Sequence, residues 1–371
     1  MKVLSLFDGM SCGQIALKQL GIIPEVYYAS EIDTHAVKQT QLNFPNTVQL
    51  GDVTNWKNWN NIDLASIDLV LAGSPCQGFS FAGKQLAFDD PRSKLFFVFI
   101  DILNHIKSLN SDVLFLLENV NMNKVHMRII SEYCGVFPVN INSNLVSAQN
   151  RSRWYWTNIR TKQVGLFGEV HSDIPQPEDK CIFLRDILED EVDEKYYVSQ
   201  AVIDRINKMN NAHKCFTLTQ CSVTGSLDKK HNYQFIKLNI EGKLSKNQNK
   251  SSCLTAGAHS GGNHSDMDLI FQRPRGNNKG GIFEGKIPTL SAHAWEQNNL
   301  LIMSRYIRRL TPVECSRLQT IPSWYKWECS DTQIYKMLGN GWTIDVIVHI
   351  LSFLDRNLIL TYPEKDHKKI I

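Results

Sequence analysis

The chain has 371 residues, 43% hydrophobic and 21% charged, with a formal net charge of +3, an ordinary globular composition with length for one large domain and a smaller one. No stretch reaches the roughly 18 consecutive apolar residues of a membrane span. The opening MKVLSLFDG lacks the apolar core and cleavage site of a signal peptide, so the expected compartment is the cytoplasm. Nine cysteines, an odd number with no Cys-x-x-Cys pair, fit free thiols in a reducing compartment better than a disulfide frame or a zinc site.

Up to about residue 160, short apolar runs alternate with helical stretches. VLSLF (3–7) reads as a strand and GQIALKQLG (13–21) as a helix closing on glycine. VYYASEID (26–33) is a second strand, followed by helical THAVKQTQLNF. IDLVLAG (67–73) is a third strand, RSKLFFVFIDILNHIKSL (92–109) a helix, DVLFLLENV (112–120) a buried strand, and RWYWTNI (153–159) a further one. Strands alternating with helices predict an α/β fold with a doubly wound, mostly parallel sheet. Such sheets bind ligands at the carboxyl ends of their strands.

From about 172 to 300 the texture becomes rich in Gly, Asn, Ser and Lys, which reads as a smaller, loop-rich domain. CFTLTQ, SCLTAGAHSGGN and PTLSAHAWEQNN form a loose partial repeat there, too irregular for a solenoid. Residues 172–198 hold nine acidic against three basic residues, whereas 200–310 hold sixteen basic against seven acidic. A solvated surface and a basic face meeting a polyanion both fit that imbalance. Helical patterning returns at TPVECSRLQ (311–319), with Thr311 as N-cap, Pro312 at the first helical position and Glu314 in the first turn. WTIDVIVHILSFLDRNLI (342–359) reads as an apolar helix packing on the first domain.

Three successive strand ends carry groups suited to an adenosine ligand without a phosphate cradle. The first turn, Phe7-Asp8-Gly9-Met10, is not GxGxxG, but its glycine lets a ligand approach the backbone. The second strand ends at Glu31, where a carboxylate can accept ribose hydroxyls. The third unit offers Asp52 to an exocyclic amine. Each alone is an ordinary turn or cap; in series they suggest S-adenosylmethionine. Cys76, in GSPCQGFS, stands between restrictive Pro75 and flexible Gly78 at the end of another strand. A lone cysteine is more often inert packing, but Glu118 ends a neighbouring buried strand. Gln149-Asn150-Arg151-Ser152-Arg153 puts two guanidiniums on one face of an extended segment, where they would lower a thiol pKa and hold anions or carbonyl oxygens.

Motif by motif the chain resembles the C5-cytosine DNA methyltransferases. LFDGMSCG, SEID, GDV, GSPCQGFS, RSKLFF, ENV, QNRSR, RRLTPVECSRLQTIPSWY and KMLGNGWTIDV match in order and spacing, covering most of the chain outside 165–300. The compact length is similar to bacterial and phage members; the SLFDG opening and GNGW ending resemble the eukaryotic de novo branch.

The resemblance implies a Rossmann-like, S-adenosylmethionine-dependent catalytic domain over 1–170 and 335–371. It implies a β-containing target-recognition domain over 171–305 and a hinge and returning helix over 306–334. It also implies transfer of a methyl group to C5 of a flipped-out cytosine through a covalent Cys76–C6 adduct, leaving S-adenosylhomocysteine, with no metal. Protonated Glu118 would hydrogen-bond N3, Arg153 would hold O2, and Arg151 would support the backbone. The cofactor contacts carried over are Phe7, Asp8, Gly9, Met10, Glu31, Asp52, Pro75, Asn340 and Trp342. Expected DNA contacts are Gln77, Ser80 and Lys84 in the lid, and Arg273, Arg275, Thr289, Ser291, His293 and Trp295 in the recognition domain.

Ala82 departs from a serine common among relatives, so no polar wedge is expected there. The implied partner is duplex DNA in a bacterial or phage-infected cell, with no membrane, a monomer by default, and a restriction endonuclease as possible company. Two rival readings stand beside this one. Cys-Phe-Thr at 215–217 resembles an element of the branch that modifies tRNA. A non-catalytic DNA-binding paralogue is opposed by the retention of Cys76, Glu118, Arg151, Arg153 and Glu31.

Overall fold

Consecutive parallel strands can be joined only by crossovers, and amphipathic crossover helices must bury one side against the sheet. The chain follows that rule. The structure is a computed structural model describing residues 1–74, 94–197 and 308–354, with the backbone alone of 269–272, 281–284, 287–288, 299–302 and 307. The first part runs β1 (Lys2–Leu6), α1 (Cys12–Gln19), β2 (Val26–Ser30), α2 (Thr34–Asn43), β3 (Val48–Gln49), β4 (Leu69–Ala72), α3 (Lys94–Leu109), β5 (Leu114–Val120), α4 (Lys124–Cys134), β6 (Val139–Asn142), β7 (Gln149–Asn150) and β8 (Ser152–Thr157).

Seven of these strands form one sheet in the order β3-β2-β1-β4-β5-β8-β6. β1 pairs in parallel with both β2 and β4, and β4 with β5, while β8 runs antiparallel to β5 and β6. The order therefore reverses between β1 and β4, and the crevice outside their carboxyl ends is the topological switch point.

Alternation along the strands sorts their side chains onto two faces. Val3, Leu69, Leu71 and Leu116 join one core with α1 and the three late helices, α5 (Pro312–Leu318), α6 (Asp331–Asn340) and α7 (Ile344–Leu351). Leu4, Leu6, Val70, Phe115 and Leu117 join the other with α3 and α4. Each buried Leu, Ile or Phe contributes about 1.5–3 kcal/mol of transfer free energy, so the strand ends that carry the site stand on a rigid base.

The predicted strands and helices of the first part are present, with bounds shifted or shortened by a few residues. β2 stops at Ser30 because the Glu31 carboxylate captures the next two backbone N–H groups. The helix expected over 342–359 begins at Ile344 and reaches Leu351; 355–371 lie outside the described residues. α4 and α6 have no counterpart in the sequence reading. α4 is capped at one end by Asn123, whose side chain accepts from His126 N at 2.8 Å, and at the other by Gly135 at φ 73°.

After β8 come the hairpin β9 (Thr161–Val164) and β10 (Glu169–Ser172), then a return across the α5–α7 side, where Ile174, Leu184 and Ile187 enter that core. In the basic part of the chain, β11 (Leu269–Gln272), β12 (Gly281–Glu284), β14 (Asn299–Ile302) and β15 (Ile307–Arg309) form an antiparallel sheet. β13 (Ile287–Pro288) pairs in parallel with β7. Among the described residues, no helix is long and apolar enough to cross a membrane.

Candidate active site

The turn after β1 is forced back on itself: Phe7, Gly9 and Ser11 all have positive φ, at 58°, 60° and 66°. Glycine takes that region at no steric cost, the other two at a price met by surrounding contacts. Those contacts are specific. Gly9 N donates to Glu31 Oε2 at 2.8 Å, Thr40 Oγ1 donates to Gly9 O at 3.2 Å, and Tyr325 Oη donates to Met10 O at 2.9 Å.

Glu31 was expected to hold both hydroxyls of a ribose. In the free protein its Oε1 accepts from Ile32 N and Asp33 N, both at 2.8 Å, and its Oε2 from Gly9 N. Of the roughly four lone-pair sites of a carboxylate, three are used, which leaves one for a hydroxyl. Beside it Ile32 is 74% exposed, an apolar ledge at the strand end that sequence reasoning passed over. Its signal was an isoleucine wedged between two carboxylates. Asp52 caps its own turn, its Oδ1 accepting from Thr54 N at 2.9 Å and Thr54 Oγ1 at 2.8 Å.

Asp8 behaves differently from its neighbours. Its carboxyl turns inward and accepts from Tyr27 Oη at 2.9 Å, while its Oδ2 is buried. Burial pushes its pKa up to about 6, against the lowering effect of the Ser5, Ser11 and Tyr27 hydroxyls. One open acceptor site on Glu31 beside the exposed Ile32 ledge fits a ligand with a ribose hydroxyl and an apolar ring face.

The next strand ends meet on the other side of the crevice. β8 lies antiparallel to β5, so Glu118 and Val120 stand opposite Tyr155 and Arg153. Arg153 Nε comes 3.0 Å from Glu118 Oε1, close enough for an ion pair though off the angle of a hydrogen bond. Both side chains are nearly buried, at 13% and 11% exposure. Asn119 reaches across to β4, its Nδ2 3.3 Å from Ser74 Oγ and 3.5 Å from Ser74 O. The acid of the ENV segment and the turn before Cys76 are thus tied through adjacent residues. Asn119 lay within a quoted motif but had no role assigned.

Arg151 points elsewhere. Its buried guanidinium donates to Gly339 O at 3.4 Å and Gly341 O at 2.9 Å. Burial, with Arg153 nearby, lowers its pKa to about 10, partly offset by Glu118. It therefore stays charged and fixes the Gly339-Asn340-Gly341 end of α6, where Asn340 is exposed and Trp342 is buried. A methyl group built on Gly73 would come 3.0 Å from Trp342 Nε1; only glycine lets the indole lie on the end of β4.

The site thus brings together Phe7, Gly9, Met10, Glu31 and Asp52 around the first crevice wall, Glu118 with Arg153, and Arg151 with the 339–342 turn. Pro75, Cys76, Gln77, Ser80 and Lys84 lie outside the described residues, as do Arg273, Arg275, Thr289, Ser291, His293 and Trp295.

A family model described as C-5 cytosine-specific DNA methylase matches residues 1–355. The chain is 27% identical to Type II methyltransferase M.HgiCI of Herpetosiphon aurantiacus, over 95% of this chain and 97% of the relative. It is 25% identical to the orphan methyltransferase M.SPRI of Bacillus phage SPR, over 99% of both. Its fold is similar to that of the Entamoeba histolytica methyltransferase EhMeth, with a TM-score of 0.55 at 15% identity over 96% of this chain and 98% of the other. A mostly parallel sheet with its crevice at the β1/β4 switch point and the ENV acid facing an arginine of QNRSR, together with a match across nearly the whole length, places this chain in the C-5 cytosine-specific DNA methylase family, as a DNA cytosine-C5 methyltransferase.

Proposed function

We propose that the chain transfers the methyl group of S-adenosylmethionine to C5 of a cytosine extruded from a specific duplex DNA sequence, through a transient bond between Cys76 Sγ and C6. The observation that carries this reading is the nearly buried Glu118–Arg153 pair one strand away from the Gly73-Ser74 end of β4, with Asn119 linking the two strand ends. S-adenosylmethionine would supply an electrophilic methyl group, held by the Phe7–Met10 turn, the free acceptor site of Glu31, the Ile32 ledge and the Asn340–Trp342 turn. The chain's own residues do the rest.

Cytosine C5 is a poor nucleophile. Addition of the Cys76 thiolate to C6 breaks the C5–C6 π bond and places its electron pair in an enamine whose nucleophilic end is C5. Glu118 in its protonated form hydrogen-bonds N3 and takes up developing charge, and Arg153 turns from Glu118 toward O2. After methylation a base removes the C5 proton, and the returning electron pair expels Cys76 as thiolate. Arg151 acts through the backbone of the 339–341 turn and touches neither reactant. The target ring is unreachable inside a stacked duplex, so it must be extruded, at a cost of about a few kcal/mol.

The catalytic domain is assigned to 1–170 with 335–371, the recognition domain to 171–305 and the hinge with its returning helix to 306–334. β13, which pairs with β7 of the QNRSR segment, leads directly into Thr289, so recognition and catalysis would share a backbone ladder. A monomer suffices for this chemistry. The test is methyl transfer from a tritiated donor offered duplex DNA and tRNA side by side, followed by nucleoside analysis. The reading expects label in 5-methylcytosine of duplex DNA, with Glu118→Gln slowing turnover by about 100-fold or more. Label confined to tRNA, or a Glu118→Gln variant as fast as wild type, contradicts it.

A further inference from the structure

α6 ends in Gly339-Asn340 and passes into Gly341, two glycines around one exposed residue. Gly341 N donates to Met337 O at 2.7 Å, and glycine loses more backbone freedom on ordering than any other residue. Further bonds come from outside the helix, from Arg151 and from Gln319. Gln319, fully buried just after α5, donates from Nε2 to Leu338 O at 2.6 Å and lies 3.4 Å from Gly341 O. Its Oε1 accepts from Thr343 Oγ1 at 2.8 Å, and its backbone oxygen from Ile344 N at 3.0 Å. One carboxamide therefore grips both ends of the turn.

The N-terminus of α7 is joined to the end of α5 by the same residues. Thr343 is the N-cap residue of α7, where a hydroxyl ordinarily accepts from the second or third helical N–H. It makes no such bond; its hydroxyl donates to Gln319 Oε1 instead. The N–H it leaves, that of Asp345, is taken by Thr320 Oγ1 at 2.9 Å. Thr320 has a left-handed backbone, φ 54°, as the residue that ends α5, where Ile321 N donates to Ser316 O at 2.9 Å.

We propose that Gln319 is a positioning residue for the methyl-donor site, setting donor affinity by holding the Asn340–Trp342 turn in its binding shape. This rests on the cofactor reading above, and the test separates the two. Gln319→Met keeps the side-chain volume and loses both grips; Thr343→Val removes one grip at the opposite end and leaves Gln319 in place. Each is compared with wild type by calorimetric titration with S-adenosylhomocysteine, by KM for S-adenosylmethionine and for duplex DNA, by kcat, and by thermal melting. The expected result in both variants is donor KM and product Kd raised about tenfold, the worth of one or two neutral hydrogen bonds. The DNA KM and the kcat at saturating donor stay within about threefold. Lowered melting temperature with unchanged donor and product affinity would reduce Gln319 to a structural residue and overturn the proposal. So would an equal loss in both KM values. If Gln319→Met does not fold, Thr343→Val decides by the same criteria. A wild type that binds neither molecule would overturn the cofactor reading itself, and this role with it.

Discussion

Asp8 is a carboxyl group folded away from water, and the consequence can be measured without any ligand. Its pKa rises from 3.8 to about 6, chiefly through burial. The folded state therefore holds its proton more tightly than the unfolded chain does. Below about pH 4 both states are protonated and Asp8 costs nothing; between about 4 and 6 a penalty builds, and above that it is constant. Asp8→Asn removes the ionisation, so urea unfolding should show the variant more stable than wild type by on the order of 2–3 kcal/mol at pH 7. That advantage should shrink toward zero near pH 4; a difference independent of pH would mean that Asp8 is not buried as described. Gly73 makes a second residue-scale prediction. Gly73→Ala must push the Trp342 indole off the end of β4, so donor KM rises several-fold while circular dichroism stays unchanged. That Glu118 and Arg153 would stand near each other was legible in the sequence, because each lies in a short motif at the end of a predicted strand. Asn119, Gln319 and Tyr325 were not, because an amide or a phenol acquires its role only when a distant carbonyl arrives beside it.

Among the elements, α5 shows how a local signal becomes a tertiary joint. Thr311, Pro312 and Glu314 announced a helix start, and the capping box is present: Thr311 Oγ1 accepts from Glu314 N, and Glu314 Oε2 accepts from Thr311 N. The same carboxylate also accepts from both Arg308 nitrogens, at 2.7 and 2.8 Å, and from Glu189 N at 3.0 Å, with no exposure to water. One glutamate thus joins β15, α5 and the return segment near 189. Glu314→Ala removes every one of these acceptors and should cost about 3–5 kcal/mol. Glu314→Asp, too short to keep them all, should fall between; equal stability of wild type and Glu314→Ala would contradict the account. α4 and α6 were harder to read. α4 is amphipathic, but the Asn-rich run before it, Asn119 to Asn123, reads as loop and masked the Asn123 cap. α6 carries the LGN motif, and its glycine drew the reading toward a loop.

At the scale of the whole molecule, the alternation of strands and helices made the fold class readable. The antiparallel insertion of β8 between β5 and β6 was not, since register and strand order depend on contacts distant in sequence. It matters, because only that insertion turns Arg153 back toward Glu118. The excess of basic residues over 200–310 predicts duplex binding that weakens steeply with salt, by about a hundredfold or more between 50 and 200 mM. A salt-insensitive affinity would remove the recognition region from phosphate contact. The most direct measurement of the central claim is covalent trapping. Duplex DNA carrying 5-fluorocytosine at the target blocks loss of the C5 substituent, so an enzyme that attacks C6 through Cys76 should remain bound through denaturing electrophoresis in the presence of S-adenosylmethionine. Wild type should give that shifted band and Cys76→Ser should not. No band with wild type on DNA that it methylates, or an equal band with Cys76→Ser, would contradict it.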